Sequence, residues 1–298
     1  MILTVCPNPS VDTFAYLPLI KLGLSNRIEK IKEFPGGKGI HVALALQELG
    51  AEVELMGIWA GATGSWIKNS CTNQGVKLSG IDIQGSTRKC FTFITTESES
   101  DHTEILEPGP QLNEIDFHEF LENYKNSLRK ASMVCISGSW PSGSPQDACQ
   151  QLVKLANQGN VKVFLDCTGV QLKNALKEEV FGLHLNESEY FEACKDFGDD
   201  AFEKIECLAL TKGKEGLELR FNNRQIHAKV ILDKVISTVG SGDCLTAGVC
   251  FSVEKDMSTE EIAKFGVACG AANCLREDLG MLYKNDVVTL YDRVEIKN

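Results

Sequence analysis

Ser237-Thr238-Val239-Gly240-Ser241-Gly242-Asp243-Cys244-Leu245-Thr246-Ala247-Gly248 joins a glycine-rich turn to a run of small residues. Lys234–Ser237, just before it, is β-prone, and the pattern after it predicts a helix through Val253. Glycines at a helix N-terminus let backbone N–H groups approach an anion closely, and the helix dipole favours negative charge there. An aspartate just inside such a turn can hold a proton-accepting carboxylate beside the same anion. Phosphoryl transfer needs that pairing: donors for the charge on the transferred group and a base for the nucleophile. The same spacing also suits a turn in which Asp243 only caps the helix, and these residues alone leave both readings open.

Outward from this turn, short apolar runs alternate with amphipathic segments. Ile2–Cys6, Val53–Met56, Met133–Ile136, Val161–Leu165 and Cys207–Leu210 read as strands covered on both faces, as parallel strands are. Lys38–Leu49 carries apolar residues at helical spacing and stops at Gly50, a favourable C-terminal cap. Ser144 predicts the start of another helix, which runs through Leu155 and ends near Gly159. This alternation predicts an α/β fold with a doubly wound, mostly parallel sheet. Strand-like pieces without intervening helices occur near 12–34 and 88–106, and predict a small β-sheet lid on a single domain spanning 1–298. The polar stretch Glu97–Asp101 reads as an exposed loop.

The chain has 298 residues, 43% hydrophobic and 24% charged, enough for a sizeable core. A formal charge of −11 argues against a nucleic-acid binder or a basic membrane-surface protein. No apolar stretch approaches the roughly 20 residues of a membrane span. The N-terminus reads as a first strand with no basic leader, so a cytoplasmic protein is expected. Twelve cysteines are scattered, mostly inside apolar runs such as those at Cys135, Cys207 and Cys269, and predict reduced, buried thiols.

A second glycine-rich segment, Phe34-Pro35-Gly36-Gly37-Lys38-Gly39-Ile40-His41-Val42-Ala43, precedes the predicted helix at Lys38. It lacks the Gly-Lys-Ser/Thr ending of a Walker A loop. The first strand runs into Pro7-Asn8-Pro9-Ser10-Val11-Asp12 rather than a GxGxxG fingerprint, which disfavours a nicotinamide-dependent dehydrogenase.

Taken in order, these segments resemble the ribokinase-like (phosphofructokinase B) sugar kinases, within them the branch of 1-phosphofructokinase and tagatose-6-phosphate kinase. The likeness rests on Asn8-Pro9-Ser10-Val11-Asp12, Gly36-Gly37-Lys38-Gly39, Thr87-Arg88, Glu107-Pro108-Gly109-Pro110, Ser137-Gly138-Ser139-Trp140-Pro141, Asn186-Glu187-Ser188-Glu189 and Gly240-Ser241-Gly242-Asp243. It implies a Mg·ATP-dependent kinase for a phosphorylated ketohexose, fructose 1-phosphate or tagatose 6-phosphate. Asp243 would be the general base, and Gly240, Ser241 and Gly242 would form the anion hole. Asp12, Gly36, Gly37, His41 and Ser139 would bind the sugar, and Arg27, Lys38 and Arg88 its existing phosphate. Asn186 and Glu189 would position Mg²⁺, mostly through water. Asn186, Thr211, Gly213 and Asn273 would lie along ATP. The family's lids imply a homodimer. The chain departs from the pattern at His41, where the branch carries Asn, and at Ser25, Cys90, Trp140 and His184-Leu185. These departures keep open a kinase for an unphosphorylated sugar or nucleoside. A catalytically weak sugar-phosphate sensor is the alternative outside enzymes.

Overall fold

A computed structural model describes residues 1–95, 102–278 and 280–297. The chain begins with β1 (Ile2–Cys6), β2 (Ser10–Leu17), β3 (Lys30–Gly36), α1 (Lys38–Leu49) and β4 (Val53–Ala60). It continues through α2 (Gly61–Asn73), β5 (Lys77–Ile83), β6 (Arg88–Thr95), β7 (His102–Leu106) and α3 (Glu114–Leu128). Next come β8 (Met133–Ser137), α4 (Ala148–Gln158), β9 (Lys162–Asp166), α5 (Gly169–Ala175), β10 (Gly182–Asn186) and α6 (Glu187–Phe197). The last part holds β11 (Cys207–Thr211), β12 (Leu217–Phe221), β13 (Arg224–Lys229), α7 (Ser241–Glu254), α8 (Thr259–Cys274), α9 (Lys284–Tyr291) and β14 (Glu295–Lys297). The expected loop at Glu97–Asp101 lies outside the described residues.

Among the described residues the main sheet has ten strands in the order β14-β13-β12-β11-β10-β9-β8-β1-β4-β5. From β5 to β11 neighbouring strands pair in parallel, and β12, β13 and β14 extend that edge antiparallel. β1 is wholly buried and pairs with β4 and β8, which is why its sequence is apolar on both faces except at Thr4, whose hydroxyl donates to the Glu54 carbonyl at 3.3 Å. One core packs α1, α7 and α8 on one face of this sheet through Ile40, Leu44, Val249, Ala263 and Ala268. The other packs α3, α4 and α5 on the opposite face through Phe120, Tyr124, Leu152 and Leu172. The fold is therefore the doubly wound α/β arrangement that the strand and helix pattern predicts.

A second sheet has the order β3-β2-β6-β7, with β2 and β6 parallel and the other pairs antiparallel. Because Pro7–Pro9 is all that separates β1 from β2, this sheet stands off the carboxyl edge of the main one. An ion pair between Lys32 on β3 and Glu277, just beyond α8, ties it to the far side of that edge.

Two local expectations need correction. The helix expected from Ser144 begins at Ala148, because the Ser144 hydroxyl donates to the Pro141 carbonyl at 2.7 Å and closes a turn instead of capping. Lys234–Ser237 is not a strand. The Ile236 N–H donates to the Cys274 carbonyl at 2.8 Å, so the segment docks on the end of α8 rather than on a sheet edge. The cysteines behave as expected: none of the twelve is joined in a disulfide, and burial pushes the Cys6 and Cys71 thiols up to about 12. Among the described residues no helix is long and apolar enough to cross a membrane.

Candidate active site

The carboxyl ends of the parallel strands meet the small sheet at a cavity of about 930 Å³. Open α/β sheets place ligands at this edge, where strand ends and helix N-termini converge. Two helix starts dominate it. α7 opens on Gly240, whose φ of 84° is left-handed and whose Cα faces the Gly280 backbone so closely that a Cβ would lie 2.5 Å from the Gly280 nitrogen. Only glycine meets both demands. The following Ser241, Gly242 and Asp243 form the first turn of α7 and line the cavity; the Ser241 N–H donates to the Thr238 carbonyl at 3.2 Å, which leaves the Gly242 and Asp243 N–H groups at this helix start to meet an anion.

α1 opens at Lys38 and brings Lys38 and His41, three residues apart on one face, to the same cavity. The two cations take separate carboxylates. The Lys38 ammonium donates to Asp166 Oδ1 at 2.8 Å and lies 3.6 Å from Glu189 Oε1. Burial works against its charge, but Asp166, Asp243 and Glu189 together hold the ammonium firmly protonated. Asp166 in turn stays well below the usual carboxylate range despite its burial, held there by Lys38 and His184.

His41 lies between two carboxylates. Its Nδ1 is 2.7 Å from Asp243 Oδ2, and its Nε2 makes no hydrogen bond but sits 3.5 Å from Asp12 Oδ2. Burial disfavours the imidazolium, yet Asp12 and Asp243 outweigh it and push His41 from 6.5 up to about 10. Asp12 is held below its ordinary range against its burial by His41 and by the Ser10 hydroxyl, which donates to Oδ1 at 2.6 Å. The Asp12 carboxyl also fills the space above Gly36, where a Cβ would fall 2.1 Å from its Cγ. Gly36 is thus a cradle for Asp12, not a wall of the cavity.

Of the residues read from sequence, Asp12, Gly37, Lys38, His41, Arg88, Asn186, Glu189, Thr211, Gly213 and the Gly240–Asp243 turn all face this one cavity. Arg88 donates from Nη2 to the Asn8 carbonyl at 3.2 Å, while its Nε is buried without a partner. Ser139 is exposed outside the cavity lining and accepts a bond from Asn8 Nδ2 at 3.4 Å. Arg27 is exposed in the β2–β3 connection, away from the lining residues. Asn273 is buried in α8 and donates to the Met281 carbonyl at 2.9 Å, so it shapes the loop behind Gly240 instead of the cavity surface. Asn186 and Glu189 form a capping box at the start of α6, each side chain accepting from the other's N–H at 2.9 Å.

Sequence reading missed two participants. Asp166, the last residue of β9, pairs with Lys38 and keeps Oδ2 buried without a hydrogen bond. His184 lies 3.4 Å from that oxygen through Nδ1, contacts Thr211 Oγ1 at 3.2 Å through Nε2, and packs under Gly242. A carboxylate ending a parallel strand was the signal available for Asp166. Among the described residues no group of three or more His, Cys, Asp or Glu is placed to enclose a metal. Asn186 and Glu189 line the cavity and fit a Mg²⁺ ion that keeps most of its water, whereas Asp166 Oδ2 is buried beside His184 and does not reach the lining.

The family model for pfkB family carbohydrate kinases matches residues 8–282. The chain belongs to the pfkB family of carbohydrate kinases. Similar solved structures include a protein assigned as a phosphofructokinase from Staphylococcus aureus, 27% identical with a TM-score of 0.82, covering 100% of this chain and 98% of that one. Phosphofructokinase-2 from Escherichia coli, in complex with substrates and products, is 25% identical with a TM-score of 0.87 and 98% coverage of both chains. A protein assigned as 1-phosphofructokinase from Thermotoga maritima, 24% identical, shares the fold at a TM-score of 0.84, over 100% of this chain and 99% of that one.

The raised value for His41 has a consequence for stability. The folded value lies above the unfolded one, so the stabilisation is fully present below pH 6.5 and is lost as pH rises through about 10. Urea unfolding between these limits should show stability falling with pH, with a shallower fall in His41→Asn. Equal slopes in the two proteins would remove His41 as the cause.

Proposed function

We propose that this kinase transfers the γ-phosphoryl group of Mg·ATP to a hydroxyl of a phosphorylated ketohexose. The observation that carries the reading is the joining of two half-sites in one cavity: the Gly240–Asp243 helix start, suited to a phosphoryl group, and Asp12 beside Arg88, suited to a sugar bearing a phosphate. The acceptor oxygen would bond to the γ-phosphorus as the bond to the bridging oxygen breaks, leaving its electron pair on ADP. Asp243 would take the hydroxyl proton, and the N–H groups of the turn would meet the charge on the transferred group. Thr211 and Gly213 at the end of β11 would flank the nucleotide. Mg²⁺ held by Glu189 and Asn186, mostly through water, would neutralise charge on the ATP phosphates.

Of the three cations read as phosphate ligands, Arg88 fits best. Lys38 is committed to Asp166, and Arg27 stands away from the cavity. Arg88 lines the cavity and spends an Nη2 bond on the Asn8 carbonyl, which leaves its guanidinium further donors for a phosphate oxygen. The related Escherichia coli enzyme has been crystallised with fructose-6-phosphate, which joins fructose 1-phosphate and tagatose 6-phosphate as a candidate acceptor. We also propose a homodimer paired through the small sheet, which exposes Ile31, Ile105 and Leu106 beside Leu22 and Leu24.

ADP release measured across these three sugar phosphates and their free sugars tests the reading. Asp243→Asn should lower kcat by roughly 10²-fold or more with little change in either KM. Arg88→Ala should raise KM for the phosphorylated sugar tenfold to a hundredfold, about 1.5–3 kcal/mol, while apparent ATP affinity holds. Wild-type preference for free sugars would defeat the sugar-phosphate assignment. In a metal titration Glu189→Gln should need more Mg²⁺ for half-maximal rate, and an unchanged requirement would leave Glu189 as a helix cap only. Light scattering should return a dimer mass, and a monomer at all concentrations would exclude the pairing.

A further inference from the structure

The ring of His41 is more tightly fixed than a sugar ligand needs to be. It is 4% exposed, on a helix whose neighbours Ile40 and Val42 are buried in the main core. Gly280 packs its backbone against the ring: a Cβ there would lie 2.1 Å from His41 Cγ. The same glycine backs Gly240, so one loop braces both the ring and the turn that carries Asp243. The groups around the ring are Asp12 from β2, Asp243 from α7 and the Gly280 backbone. Arg88 of β6 faces it across Asp12, and Lys38, on the ring's own helix, also lies in the field of Asp243. The two nitrogens are unequal. Nδ1 holds Asp243 at 2.7 Å, and Nε2 stands 3.5 Å from Asp12.

We propose that His41 is the positioning residue of the base: its Nδ1–H fixes Oδ2 of Asp243, so that the other carboxylate oxygen is presented to the acceptor hydroxyl. Asp12, the expected sugar ligand, is linked to the base through the same ring. The proposal rests on the kinase reading and on Asp243 as base. It assigns His41 to kcat, whereas a sugar ligand would act on KM for the sugar. A base displaced by about an ångström loses up to 10²-fold in rate, because proton abstraction depends on alignment.

The unequal contacts supply the test. An asparagine at 41 places its amide nitrogen near the position of Nδ1, and a glutamine places it near Nε2. Steady-state kinetics of the full-length enzyme with Mg·ATP and its preferred sugar phosphate should compare His41→Asn, His41→Gln and Asp243→Asn, each checked by thermal melting. His41→Gln should lower kcat roughly 10- to 100-fold with KM for ATP nearly unchanged. His41→Asn should recover most of that loss. Equal losses in the two variants, or wild-type kcat in His41→Gln, would overturn the proposal while Asp243→Asn remained inactive. If Asp243→Asn turns over normally, the base assignment fails and the proposal falls with it. Should His41→Gln not fold, His41→Ala with added imidazole gives a second reading, since the space left by the ring adjoins the open cavity. Turnover that rises with imidazole supports the positioning role, and turnover indifferent to it refutes the role.

Discussion

Four carboxylates, Asp12, Asp166, Glu189 and Asp243, crowd the carboxyl edge of the sheet, and the site depends on how α1 answers their charge. Isolated buried carboxylates are costly, and pairing repays the desolvation only when geometry is good. α1 supplies two cations from one face. Lys38 takes Asp166 and stands near Glu189, while His41 takes Asp243 and stands near Asp12. This divides the edge in two. The Lys38 half lies with Asn186, Glu189 and Thr211 along the cavity. The His41 half joins Asp12 to Asp243.

The fold makes this arrangement by placing glycines where side chains would intrude. Gly36 leaves room for the Asp12 carboxyl, and Gly280 leaves room for the His41 ring. The start of α7 is held from behind by Asn273 and the Met281 carbonyl, and by close packing on α8 through Gly248 and Cys269. Polar residues that look like ligands in sequence therefore divide into those that touch the cavity and those that shape its walls. Asn273 belongs to the second kind.

Much of the fold was legible because local rules decide it. β1 and α1 run over the residues predicted, and Gly50 caps α1 in the left-handed conformation that its position predicts. The turn at Gly240–Asp243 was legible for the same reason, since glycines and an acid at a helix start act locally. What could not be read was the pairing across the chain. Lys38 looks like a free phosphate ligand until β9 brings Asp166 to it, and His184 looks like a mere departure until Thr211 and Gly242 enclose it. Val235 and Ile236 have strand propensity, but no sheet edge is open to them where Cys274 offers its carbonyl. Propensity there yields to tertiary contact.

The account turns on His41 being a cation between Asp12 and Asp243, and nitrogen-15 NMR of the histidine side chains tests that directly. At about pH 8 an ordinary histidine is neutral. Both ring nitrogens of His41 should instead be protonated, with Nδ1 carrying a hydrogen-bonded proton that exchanges slowly. A neutral His41 at that pH, with one bare ring nitrogen, would contradict the account.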